Sequence, residues 1–135
     1  MKRAFLIGIG MLLLILLFAG HDESTHERSY VGEGPDISSP HREAVKRACL
    51  EGTLAPGQGN EKLGLRAPQD YYGKFVRSAK TEVESETKVT VTIVYKAIGN
   101  LVSDGDLLIL TGTCGPDGIS WESGGTVAKK FPDIF

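Results

Sequence analysis

The sequence predicts an α+β domain in which one short N-terminal helix packs on a four-stranded antiparallel sheet. Three observations predict it. Ala44, Val45, Ala48 and Cys49 fall on one face at helical spacing; Val89, Val91, Ile93 and Tyr95 recur at every second position; and Gly115-Pro116-Asp117-Gly118 is a tight-turn sequence between two β-rich stretches. A small sheet with one apolar face cannot bury that face alone, so a helix laid across it is the natural packing.

Each element follows from local chemistry. Ser39 suits a helix cap, and Pro40 suits the first turn, where its missing N–H costs nothing. Arg42, Glu43, Lys46 and Arg47 occupy the polar faces, and Gly52 stops the helix. Thr53–Pro68 is rich in Gly, Pro, Asn and Gln and reads as an irregular loop, anchored on the core by Leu54, Leu63 and Leu65. A first strand begins at Phe75–Lys80, Glu82–Glu86 is a charged turn, and the alternating Val89–Tyr95 is the second strand. Gly99-Asn100 and Asp104-Gly105-Asp106 punctuate the next connection. Leu107–Leu110 is continuously apolar, as in a central strand, and Ile119–Glu122 is the fourth.

The 135 residues divide into three predicted parts: 1–20, a signal peptide or N-terminal membrane anchor; 21–38, a flexible linker; and 39–135, the folded head. Met1-Lys2-Arg3 precedes the apolar run Ala4–Ala19, an arrangement that sends the following chain across the membrane. The run is long for a signal-peptide core and short for a spanning helix, and Leu17 makes a cut after Ala19 a poor one. Cleavage and retention in the inner membrane through residues 4–19 therefore both stay open. His21–Ser38 is polar, mixed in charge and interrupted by Gly32, Gly34 and Pro35, hence the linker.

The net charge of −2 gives no drive toward nucleic acid. No Ser/His/Asp order, phosphate loop or metal spacing occurs in the folded part, so the sequence predicts neither an enzyme nor a cofactor. His21 and His26 lack a third ligand, and Asp104, Asp106 and Asp117 belong to glycine-rich turns rather than a calcium loop. In an exported domain, Cys49 at the helix end and Cys114 at a strand end are expected to form a structural disulfide, with two buried thiols as the alternative. Trp121 is expected to seal the core beside Phe75 and Tyr95 rather than to stand out as a ligand anchor. Arg42, Lys46, Arg47, Lys74, Arg77 and Lys80 are the candidate contacts to DNA or a surface polymer, against the plainer reading of a solvated face.

Several short motifs stand in a telling order. They are Cys49-Leu50-Glu51-Gly52-Thr53-Leu54, then Asp70-Tyr71-Tyr72-Gly73-Lys74-Phe75-Val76 and the Thr/Val-rich Val89–Tyr95. Gly105-Asp106-Leu107-Leu108-Ile109-Leu110, Gly118-Ile119-Ser120-Trp121 and Lys129-Lys130-Phe131-Pro132 follow. Over Ser39–Pro132 this resembles the globular head of bacterial type IV pilins. The resemblance implies an extracytoplasmic structural protein of the type IV pilus and cell adhesion, without catalysis. It would be periplasmic, membrane-anchored or at the cell surface, with other pilins, assembly proteins or a host surface as partners.

The departures matter as well. Gly8 and Gly10 sit inside the apolar run, and neither precedes the Phe-Thr-Leu-Ile-Glu of pilins; Ile15 stands where the Glu would be. The family's disulfide after the tryptophan is absent, since Glu122 and Ser123 follow Trp121. The glycines and proline of residues 32–35 are expected to interrupt the stalk helix. Together these suggest a head that is not a standard polymerising major subunit. The alternatives are an accessory module binding pilins or assembly machinery, and a head binding DNA or a surface polymer.

Overall fold

The computed structural model of the chain describes residues 27–135; the apolar run and residues 21–26 of the expected linker lie outside the described residues. Helix α1 spans Glu33–Ile37 and α2 Ser39–Glu51. A four-stranded sheet follows: β1 Val76–Val83, β2 Lys88–Tyr95, β3 Leu107–Gly115 and β4 Gly118–Gly124. It is an antiparallel meander in the order β1-β2-β3-β4, and a short helix α3, Gly125–Lys130, closes the chain. This is the predicted α+β architecture of a helix on a four-stranded antiparallel sheet.

Alternation decides which face of the sheet is covered. Val89, Val91, Ile93 and Tyr95 of β2 are fully buried, and Leu108, Leu110 and Gly112 continue the same face on β3. Leu107 and Ile109 are half-buried on the opposite face, so β3 is central in the order but covered on one side only. Two apolar clusters result. One gathers Val31, Ile93, Tyr95, Leu108, Val127 and Phe131; the other joins Val45, Ala48 and Leu54 to Val83 and Val89. Trp121 packs against both.

The linker expectation fails where it can be seen. Residues 27–30 are helical and the chain stays right-handed through Gly32 (φ −64°, ψ −13°) and Ser38 (φ −76°, ψ −8°) into α2. Val31 and Ser38 are fully buried. The physical reason is a stripe at spacing three and four: Val31, Gly34, Ser38, His41, Val45 and Ala48 are all buried. Four of those six are small or polar, so a hydrophobic pattern does not reveal them. Pro35 has no N–H to give the Val31 carbonyl, and the Tyr95 hydroxyl donates to it instead at 2.6 Å. Gly34 is required by this contact, because a Cβ there would lie 1.9 Å from the Tyr95 Oη. Where α1 meets α2, the Pro35 carbonyl accepts from Ser38 Oγ at 2.8 Å and Arg42 Nη2 at 3.0 Å. Ser39 therefore caps nothing; it is the first residue of α2, already continued from the turn before it.

The C-terminal helix α3 is a second feature the sequence reading left unassigned. Val127, Ala128 and Phe131 are buried at i, i+1 and i+4, and Lys129 and Lys130 suit its last turn. The tail is pinned to the first helical residues by the Arg28–Asp133 ion pair, with Arg28 also 6.0 Å from the Phe131 ring centroid.

Candidate functional site

No group of three or more His, Cys, Asp or Glu side chains among the described residues is placed to hold a metal. The disulfide expected between Cys49 and Cys114 is present, with Cα atoms 5.9 Å apart, and it fastens the last turn of α2 to the end of β3. Trp121 is half-buried. Its register partner is Gly112, whose missing Cβ would lie 2.8 Å from the indole, so the glycine makes the seat on which the ring lies. Phe75, one of the neighbours expected for Trp121, instead stacks on Tyr30 with ring centroids 4.3 Å apart.

The six candidate cations are not pooled. Arg42 is committed to the helix junction, where it binds the Pro35 carbonyl and Ser38. Lys74 lies 5.5 Å from the Phe75 centroid and 5.9 Å from that of Tyr30, so its charge rests on the aromatic pair. Arg77 pairs with Asp104 at 2.5 Å and Lys80 with Glu82 at 2.8 Å. Lys46 and Arg47 are exposed on α2, and neither makes an ion pair among the described residues.

Arg42 and Lys46 do share one feature with Trp121. A cleft of about 320 Å³ opens between α2 and β4; Arg42, Lys46, Glu43 and Asp117 ring it, and Leu50 and Trp121 supply its apolar part. Leu50 is 70% exposed, the most exposed large apolar side chain described. The cleft's four charges cancel.

The opposite side of the sheet is sealed by polar groups. The loop after α2 runs along β1, and Asn60 acts as a surrogate strand. Its Oδ1 accepts from the Thr81 N–H at 2.7 Å, and its Nδ2 donates to the Ala79 and Arg66 carbonyls at 3.2 and 2.9 Å. Gly57 and Gln58 bond both backbone groups of Val83, and the Glu33 carboxylate accepts from the N–H groups of Phe75 and Val76. Beneath this loop lies a shallow groove of about 870 Å³ between Glu61, Lys62, Leu65, Lys80 and Glu82.

His41 also belongs to this side, and sequence reasoning gave it no role. It is fully buried on α2. Its Nδ1 lies 2.7 Å from Thr81 Oγ1, its ring meets Tyr71 edge-on at 4.4 Å, and its Nε2 has no hydrogen-bond partner. Burial lowers its pKa from 6.5 to about 4, which keeps the imidazole neutral at physiological pH. Elsewhere, the Lys130 ammonium at 2.6 Å and the Ser103 N–H hold the Asp106 carboxyl below the usual carboxylate range.

A helix laid on a four-stranded antiparallel meander defines a small α+β head. Residues 28–132 match the family described as Pilin (bacterial filament). The chain belongs to this pilin family. No curated protein matches it. The family is one of structural proteins, associated with other pilins in an extracellular filament. Among the described residues no helix is long and apolar enough to cross a membrane.

Proposed function

We propose that this chain is an extracytoplasmic pilin-like protein of the type IV pilus and cell adhesion, and that it is not a standard polymerising major subunit. Its head works through protein contacts with other pilins or their assembly machinery. The observation that carries this reading is the apolar run Ala4–Ala19, which contains no acidic residue. A carboxylate in a bilayer is costly unless a partner neutralises it, and that need is what makes such a group an ordering contact between subunits. Without it, an uncleaved segment would give hydrophobic anchoring but not the pairing that sets register.

From residue 27 to 51 the backbone stays right-handed with turns at residues 31–32 and 38, so the expected stalk interruption is reduced to two turns and weighs less than the missing carboxylate. The Cys49–Cys114 bond suits an oxidising compartment outside the cytoplasm. A DNA-binding head has less support, since four of its six candidate cations are already engaged within the molecule.

The test is fractionation of cells and of sheared surface filaments, with the amino-terminal residue determined in each fraction. The reading expects the head in the envelope or medium, substoichiometric to filaments or absent from them. A chain forming the bulk of the filament with residues 4–19 intact would overturn it.

A further inference from the structure

The two edges of the sheet are treated differently, and the open one has the properties of a self-pairing edge. We infer that β4 pairs with β4 of a second copy of this chain, antiparallel about a two-fold axis at Trp121, to give a continuous eight-stranded sheet.

Unpaired edge strands are ordinarily blunted by a bulge, by lysine or proline, or by a covering loop. β1 has all but the proline: a bulge between Val76 and Ser78, Lys80 along its length, and the Asn60 loop over it. β4 has none of them. Its seven residues run in unbroken register with β3, it contains no lysine or proline, and no described residue bonds its outer backbone groups. From the turn-closing pair Gly115↔Gly118, antiparallel alternation turns the backbone N–H and C=O of Ile119, Trp121 and Ser123 outward.

The occupant follows from the charges. When β4 is laid antiparallel on itself about Trp121, Gly118 faces Gly124, Ile119 faces Ser123, and Glu122 faces Ser120. The strand's one charge therefore never opposes itself. Arg42 and Lys46 in the adjoining cleft are balanced by Glu43 and Asp117, so the cleft sets no net charge against the same cleft of a second copy. Helix α2 crosses the sheet from Thr81 on β1, beside His41, to Cys114 on β3, bonded to Cys49, and its C-terminal part approaches β4. Leu50, exposed at that end beside the cleft, lies where a second copy would cover it.

The contact does not depend on filament membership, and its test reads single residues of β4. The full chain, solubilised in mild detergent, is to be followed by sedimentation equilibrium. Ser120 is exposed on the open face of the sheet, so its substitution leaves the core intact. S120E sets a new carboxylate against Glu122 of the other copy, twice by symmetry, and is expected to weaken association by about tenfold. S120K sets opposite charges there and should tighten it several-fold. As an independent readout, S120C and E122C chains should form an inter-chain disulfide when mixed and oxidised, because these positions face each other, while neither alone should. Association that responds to neither charge, disulfide formation by one variant alone, or a chain monomeric at all concentrations would each overturn the inference. Association lost only when residues 1–26 are altered would place the contact in the apolar run instead.

Discussion

The β1 half and the β4 half of this sheet are held by different chemistry. On the β1 side, α1, α2 and the following loop are attached by directed polar contacts: Glu33 to the start of the strand, His41 to Thr81, and Asn60 to Thr81 and Ala79. On the β4 side the attachment is covalent and apolar, through the Cys49–Cys114 bond and the indole resting on Gly112. Backbone groups at a sheet edge must be bonded or wetted, so the half that spends side chains on its edge is closed to partners. The half held from within keeps its edge free.

The largest expected effect comes from cutting the covalent clasp. Replacing both cysteines by alanine releases a closure of 65 residues and should destabilise the head by about 4 kcal/mol. Denaturant unfolding of this variant beside the oxidised wild type measures it, and a loss near zero would mean that α2 is held on β3 by packing alone. Asn60→Ala is the matching cut on the β1 side. It leaves the buried Thr81 N–H without its acceptor and should cost about 2–4 kcal/mol, with faster exchange at Thr81. An unchanged midpoint would show that the loop's backbone seals that edge without Asn60.

The β1 side should also be the acid-sensitive one. His41 has a folded pKa below its unfolded value, so the unfolded chain takes up the proton first. The stability His41 contributes is present above pH 6.5 and is lost as pH falls toward 4. Between pH 7 and pH 5 this group should remove about 2 kcal/mol, and His41→Gln should flatten that part of the profile. A wild-type profile that the substitution leaves unchanged would remove His41 from the account. Smallest of all should be Arg77→Ala, since its pair with Asp104 is exposed at both ends and worth less than about 1 kcal/mol; a larger loss in thermal unfolding would reveal a role beyond that pair.

What the sequence disclosed follows the same division. The four-stranded sheet and the disulfide were legible because alternating Val and Ile, turn glycines and two cysteines are strong local signals. The helical reach from residue 27 to 38 was hidden, because its buried stripe uses Gly34 and Ser38, and because Pro35 reads as a break until Tyr95, sixty residues on, supplies the missing hydrogen bond. Trp121 lies half-buried beside both apolar clusters, and Gly112 rather than Phe75 lies beneath its ring, a partner that no sequence signal marks. Of the candidate cations, the sequence could supply charge but not partners: only the fold sets Arg77 beside Asp104 and Lys74 over two aromatic rings. The open edge of β4 was not legible at all, since an edge is defined by what fails to pair with it.

Amide hydrogen exchange on the dilute protein, read residue by residue along both outer strands, tests the contrast most directly. The account predicts slow exchange at Thr81 and Val83, whose N–H groups are bonded to Asn60 and Gln58. It predicts fast exchange at Ile119, Trp121 and Ser123, slowing as concentration rises and copies associate. Equal protection of both strands at the lowest concentration would contradict it, because β4 would then have no free edge to offer.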